Sequence, residues 1–223
     1  MDKLQQIYHI LQKDLHLELR RKEIIITMVL FALITIVIFH FADKSDLIIK
    51  RLAAGIFWVT IIFTSNLGLQ KSFAREQENN TIQALQLCAS ATVIYIAKFM
   101  GNFLYLIIFE LIFIPIFAIL FNITIPILLL KLASVIVLTN IGLAAAGTLL
   151  AAISAHLRSR DMLLPIILLP IIIPLLLAAV SCTEIIINET IPEKLNSWLK
   201  VLSGFALIYV ILGSILYEFV IQD

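Results

Sequence analysis

Residues 73–90 read FAREQENNTIQALQLCAS, a polar stretch that separates two long apolar runs. The run before it, LAAGIFWVTIIFTSNLGL, covers residues 52–69, and the run after it begins VIYIAKFMGNFLYLIIF at residue 93. Either run is long enough to cross about 30 Å of hydrocarbon as a helix that rises about 1.5 Å per residue. The polar stretch is too hydrophilic to enter lipid and too short to form a domain, so we expect it on a membrane surface.

The composition of the whole chain agrees with this local pattern. Of the 223 residues, 61% are apolar and 14% are charged, and the mean hydropathy is +1.07. Soluble domains have roughly 45–50% apolar and about 25% charged residues. The sequence therefore predicts one membrane domain over residues 1–223, and nothing in its charge pattern indicates a nucleic-acid partner.

The apolar runs predict an all-α integral membrane protein with six transmembrane helices. The predicted spans are 24–42, 50–69, 93–121, 127–153, 162–183 and 199–221. The third and fourth exceed the length that a bilayer needs, which indicates tilt or breaks. Pro115 and Pro126 mark the places where those breaks are expected.

Residues 1–22 predict a helix that lies along the membrane surface and leads into the first span. Its apolar side chains follow helical spacing at Leu4, Ile7, Tyr8, Leu11 and Leu15. A soluble helix docked on a partner protein is the alternative.

Lysine and arginine are more frequent in the N-terminal segment and after the second and fourth spans than in most of the remaining loops, although residues 44–51 are a basic exception. This bias favours both termini, and with them residues 70–92, in the cytoplasm.

The polar stretch itself predicts a short helix from about Thr81 to Ala91. Asn80 is a favourable N-cap and Gln83 follows it by three residues, as in a capping box. Glu76 and Glu78 precede this helix, where its dipole attracts negative charge. One face of this helix would be polar, with Gln83, Gln86 and Ser90. The opposite face would be mainly apolar, with Ile82, Leu85, Cys88 and Ala89. A plain solvated loop is the competing interpretation.

Residues 73–104, FAREQENNTIQALQLCASATVIYIAKFMGNFL, resemble the cytoplasmic loop of type-2 ABC exporter permeases. The pattern of that family is an acidic cluster, then Gly-Thr, a Leu, often a Pro, and a Lys that opens the next span. The residues that fit it here are Glu76, Glu78, Thr81, Leu85 and Lys98, whereas Asn80 replaces the usual Gly and Ala89 lies near the usual Pro. In that family the element is the coupling helix, which docks in a groove of a cytoplasmic ATPase. The resemblance implies an ATPase-coupling role for Arg75, Glu76, Glu78, Asn80, Thr81, Gln83, Leu85 and Gln86.

Two further stretches resemble the CcmB family of cytochrome c maturation, or haem exporter, systems. They are residues 52–73, with Gly55 and Trp58, and residues 163–180, LLPIILLPIIIPLLLAAV. This resemblance implies a multi-pass subunit of a bacterial inner-membrane complex, and two ATPase sites would imply two copies of the subunit by symmetry. The implied partners are a CcmA-like ATPase, a CcmC-like haem-handling protein, a small CcmD-like membrane subunit and a CcmE-like haem chaperone.

The resemblance also implies a division of labour within such a complex. The partner ATPase would hydrolyse ATP, the complex would handle haem without a cofactor bound directly to this chain, and the motion would release haem-loaded chaperone at the periplasmic face. The sequence contains no Walker loop, GxSxG or HExxH motif, so we expect no enzymatic activity from this chain alone. The alternatives are a type-2 ABC exporter permease for a lipid, glycan or drug, and a scaffold protein without a motor.

Glu110 and three prolines are the unusual residues within the spans. A carboxyl group at the centre of a membrane helix costs roughly 2.5–3.5 kcal/mol on insertion scales, so Glu110 is expected to face the bundle interior or to be protonated. It would serve a substrate path, an interhelical hydrogen bond or packing alone. Pro165, Pro170 and Pro174 free backbone carbonyls in the fifth span, which predicts a hinge, a re-entrant outer segment or a static kink.

Span four carries a smooth face around Gly142 and Gly147 in GLAAAGTLLAA. Small residues let membrane helices approach closely. The sequence leaves two uses open for this face, the seam of a homodimer or a contact within the chain.

Overall fold

Helices make up nearly all of the chain that the structure describes. The computed structural model describes residues 3–42, 47–78, 85–121, 125–155, 160–187 and 192–222. The long helices are α1 Lys3–Arg21, α2 Glu23–Ala42, α3 Leu47–Glu78, α4 Ala91–Leu120, α5 Ile125–Ala155, α6 Arg160–Ile187 and α7 Pro192–Gln222. Helices α2 to α7 are each long and apolar enough to cross a membrane. The predicted all-α membrane protein with six spans is therefore confirmed.

A single residue, Lys22, separates α1 from α2. Its φ of 57° lies in the left-handed region, which costs a residue with a side chain about 1–2 kcal/mol. Glu18 compensates for this bend, because its Oε1 accepts hydrogen bonds from the backbone N–H groups of Ile24 at 2.8 Å and Ile25 at 3.2 Å. These are among the N–H groups at the start of α2 that have no partner within the helix. The carboxylate of Glu18 is buried and fixes the turn between α1 and α2.

Helix α3 continues nine residues past the predicted end of the second span. The part of α3 that is apolar enough to cross a membrane is Leu52–Ala74, and the helix itself ends at Glu78. Residues 70–78 are mostly polar but include good helix formers such as Gln, Lys, Ala, Arg and Glu. Hydropathy therefore predicts the apolar part of α3 and does not predict the polar turns that follow it.

The prolines do not interrupt the helices in which they lie. Helix α4 runs continuously through Pro115, and α6 runs through Pro165, Pro170 and Pro174. Pro126 is the second residue of α5, a position in the first turn that needs no backbone N–H. The break expected at Pro115 is absent, and Pro126 lies at a helix start instead of within a helix.

Aromatic side chains join α3 to α4 and α6 in the interior. The ring of Phe57 lies 5.7 Å from that of Phe113 and 5.2 Å from that of Phe117, between centroids. The neighbouring Trp58 is fully buried and donates a hydrogen bond from Nε1 to Oγ1 of Thr183, over 2.7 Å. Because indole N–H groups need a partner when buried, this bond specifies how α3 packs on α6.

Helix α5 is the centre of the bundle. In its most apolar stretch, 78% of the residues are buried inside the chain, whereas in the corresponding stretch of α7 only 17% are buried. A methyl group at Gly142 would lie 3.0 Å from both Leu175 and Phe205, and one at Gly147 would overlap the side chain of Leu69. The smooth face of α5 therefore serves contacts within the chain, with α3, α6 and α7.

Candidate functional site

The polar stretch between α3 and α4 ends in a turn. Leu85 and Gln86 are helical, residues 87–90 are not, and Ser90 has extended backbone angles of φ −69° and ψ 153°. Ser90 is the N-cap of α4, and its carbonyl accepts a hydrogen bond from the N–H of Ile94 over 3.0 Å. An N-cap residue is non-helical by definition. The predicted helix therefore ends before Ala91, and the prediction of its C-terminal end was wrong.

The other predicted coupling residues fall into two groups. Asn80, Thr81 and Gln83 lie outside the described residues. Arg75, Glu76 and Glu78 belong to the last turn of α3, and their side chains are not among those described. The two acids thus lie at the negative end of the α3 dipole, which disfavours negative charge. Stabilisation of α3 does not explain why these positions are acidic.

Helix α1 packs against the end of this stretch and the start of α4. Ile10 is buried against Val93 and Ala97, and Leu85 and Ala89 lie alongside. The side-chain amide of Gln6 donates a hydrogen bond to the carbonyl of Cys88 over 3.3 Å. We call this assembly the α1–α4 corner; its members are Gln6, Ile7, Ile10, Asp14, Leu85, Cys88, Ala89, Val93, Ala97 and Lys98.

An ion pair holds the corner together. Lys98 Nζ lies 2.6 Å from Oδ2 of Asp14, and the side chains are 3% and 13% exposed. Lys13 lies 3.2 Å from the other carboxylate oxygen of Asp14. Buried charges in proteins are normally paired, because isolated charges are costly to desolvate. This contact explains why a lysine is tolerated inside the apolar start of α4.

The protein-facing side of α1 differs from the predicted apolar stripe. Leu4 and Tyr8 are exposed, whereas the inward face includes Ile7, Ile10 and Asp14. The spacing of three and four residues between these positions was visible in the sequence. An aspartate at an inward position is the signal that would have indicated a cationic partner.

Helix α4 is tied to α5 and α7 beyond the corner. The hydroxyl of Tyr95 lies 3.3 Å from the carbonyl oxygen of Ala145 in α5 and 3.2 Å from that of Tyr209 in α7. One turn past Lys98, the side-chain amide of Asn102 donates to Oγ1 of Thr148 over 2.9 Å. These contacts connect the first three turns of α4 to two neighbouring helices.

Glu110 makes a third link between α4 and α5. Its Oε2 accepts a hydrogen bond from Nδ2 of Asn140 over 2.6 Å, and Glu110 is 2% exposed. The acid therefore faces the bundle interior. Among the described residues, Oε1 of Glu110 and Oδ1 of Asn140 have no hydrogen-bond partner. Of the roles left open for Glu110, the interhelical hydrogen bond is the one present in this structure.

Comparison with known proteins gives the family of this six-span chain. The family model described as CcmB protein matches residues 5–220. The chain belongs to the CcmB family. Heme exporter protein B of Haemophilus influenzae is 24% identical to it over 177 residues, which cover 78% of this chain and 80% of that protein. The CcmB resemblance that the sequence indicated is confirmed.

The matched region of this CcmB-family chain includes every residue of the α1–α4 corner and the polar links along α4. Among the residues that the structure describes, no three His, Cys, Asp or Glu side chains are grouped as a metal site requires. The contacts in the corner are ion pairs, hydrogen bonds and apolar packing. These contacts join α1 to the start of α4 and to the end of the polar stretch.

Proposed function

We propose that this chain is the permease subunit of an ATP-driven haem export complex that serves cytochrome c maturation. Its CcmB family membership over residues 5–220 and its similarity to heme exporter protein B support this proposal. The complex would lie in the bacterial inner membrane, with both termini of this chain in the cytoplasm. A CcmA-like partner would hydrolyse ATP, because the sequence contains no nucleotide-binding motif of its own.

The partner ATPase would dock on the segment from the end of α3 to the corner. Its docking residues would be Arg75, Glu76, Glu78, Asn80, Thr81, Gln83, Leu85 and Gln86. The observation that carries this proposal is the attachment of the segment to α1 and α4, through packing of Leu85 and the hydrogen bond from Gln6 to Cys88. A push on this segment therefore displaces two helices together.

Helix α4 would carry that displacement across the membrane. Tyr95, Asn102 and Glu110 join it to α5 or α7 at successive depths, over about 15 residues and roughly 22 Å of helix. Packed interiors transmit strain because they are dense and poorly compressible. The three prolines of α6 remove three backbone donors from one helix, and we assign them the hinge at which the outer part of the bundle yields.

Haem would be handled by the complex and not held by this subunit alone. CcmC-like and CcmD-like membrane proteins would present it to a CcmE-like chaperone, and the motion of this chain would release the loaded chaperone at the periplasmic face. Two ATPase sites would require two copies of this chain by symmetry. This arrangement assigns the chain a mechanical role.

The test is a charge reversal at the proposed docking segment. Glu78→Lys should lower co-purification of the ATPase by about tenfold, the effect of losing roughly 1.4 kcal/mol of binding energy. Membrane insertion of the variant should be unchanged, and holocytochrome c should fall with ATPase association. The matched control is Glu184→Lys, an exposed acid near the opposite end of the bundle. Normal ATPase recovery with Glu78→Lys would contradict the docking assignment.

A further inference from the structure

A groove opens at the turn between α1 and α2, on the side where these helices meet α4. Its volume is about 440 Å³. Most of its wall is aliphatic; the main members are Leu19, Ile26, Val29, Leu30, Ile108 and Ile112. Glu18, Lys22 and Tyr105 also line it, but nearly all of its exposed lining is apolar. The groove is thus an apolar cleft that ends at the turn preceding α2, where Lys22 is exposed.

The position of Lys22 fixes the depth of the groove in a membrane. It immediately precedes the span Glu23–Ala42, so it lies at the boundary between lipid and water. Val29 and Leu30 are seven and eight residues further on, which places them roughly 10–12 Å along the helix. The aliphatic wall therefore lies beside acyl chains and the ammonium of Lys22 lies at the level of headgroups.

The charges around the mouth favour an anion. Lys22 is exposed. Arg20 and Arg21 are also exposed, one and two residues before it. Of the two nearby acids, Glu18 is directed at the first N–H groups of α2 and Glu23 is exposed. Three cations against two acids leave a net positive charge at the mouth.

We propose that this groove binds one anionic phospholipid, with an acyl chain along α2 and α4 and its phosphate beside Lys22. A basic site at the membrane boundary, continuous with an apolar cleft between helices, suits such a lipid. The site is independent of the proposed function, because it rests only on the turn and the neighbouring helices.

Lipid retention by the full-length chain tests the headgroup part of the proposal. The purified chain in detergent is mixed with equal amounts of phosphatidylglycerol and phosphatidylcholine, and bound lipid is counted by native mass spectrometry. One lysine near the surface contributes about 1 kcal/mol, so the wild type should prefer phosphatidylglycerol about fivefold. Lys22→Gln should reduce this preference to near parity. Lys194→Gln should leave it unchanged, because Lys194 is an exposed lysine at the start of α7, near the other membrane face.

A separate variant tests the proposal that an acyl chain lies in the groove. Val29→Phe adds volume within the groove and should lower the retention of both lipids while leaving the headgroup preference of the remainder intact. Equal retention of the two lipids by the wild type, or the same preference in Lys22→Gln and Lys194→Gln, would overturn the proposal. A single-span protein found cross-linked in the groove in place of lipid would overturn it as well.

Discussion

The Asp14–Lys98 pair should determine whether α1 and α4 behave as one unit, and a double-mutant cycle measures this. The substitutions are Asp14→Asn, Lys98→Met and both together. Asp14→Asn removes the negative charge that lies 2.6 Å from the ammonium of a lysine that is 3% exposed, and it leaves a neutral amide in its place. Hydrogen bonds to charged groups contribute about 1.5–3 kcal/mol, so we expect a loss of that size in the free energy of unfolding.

Lys98→Met should cost less. The carboxylate of Asp14 keeps Lys13 at 3.2 Å and is 13% exposed, so water reaches it when Lys98 is gone. An ordinary hydrogen bond contributes about 0.5–1.5 kcal/mol, and we expect a loss near that value. The double variant should lose less than the sum of the single variants, with an interaction energy in the usual range of about 0.5–3 kcal/mol for residues in contact.

The assay is denaturant unfolding of the purified chain in detergent, with ATP-dependent cytochrome c maturation measured in parallel. Lys13→Met is the control, because its partly exposed ion pair should contribute less than about 1 kcal/mol. The variants that lose more free energy of unfolding should also lose more cytochrome c maturation, while the amount of protein inserted in the membrane stays constant. Strictly additive single effects, or a loss from Lys13→Met as large as that from Asp14→Asn, would refute the reasoning.

Two further predictions concern the links between α4 and its neighbours. Glu110→Gln keeps an acceptor for the Asn140 amide and should retain wild-type stability and cytochrome c maturation, whereas Glu110→Ala leaves that buried amide unsatisfied and should cost about 1–3 kcal/mol in denaturant unfolding. Equal effects of the two variants would contradict a purely structural role. A methyl group at Gly213 would overlap the Tyr95 ring, so Gly213→Ala should lower stability to thermal unfolding by about 1–3 kcal/mol. The control Gly204→Ala, on the same helix with nothing within 4 Å of the added carbon, should be neutral or stabilising, and a loss there would show that the Tyr95 contact is not the cause.

The sequence was sufficient for the six spans because apolar length alone specifies membrane helices. It was not sufficient for α3, whose last residues, as far as Glu78, are too polar for a hydropathy window yet remain helical. The prediction of where the short helix ends was wrong because local sequence does not show where the next helix begins. Residues 87–90 form a turn that leads into α4, and Ser90, the residue at the N-cap position, has extended backbone angles.

The links that define the corner were beyond local sequence reasoning. Asp14 and Lys98 are 84 residues apart in the chain, and Tyr95 reaches carbonyl groups 50 and 114 residues away. Periodicity identifies a helical face but gives no information about which helix covers it. The likeness to type-2 ABC exporter permeases predicts that a partner docks on the polar segment, and the structure adds what the end of that segment contacts within the chain.

Cross-linking of the polar segment to the ATPase tests the central claim most directly. In a chain whose Cys88 and Cys182 have been replaced, cysteine is introduced at exposed Gln86, or at Ile187 near the opposite membrane face as the control. We expect a cross-link from position 86 to the cytoplasmic ATPase that changes in yield with bound nucleotide, and none from position 187. An ATPase that cross-links to position 187, or to neither position, would contradict it.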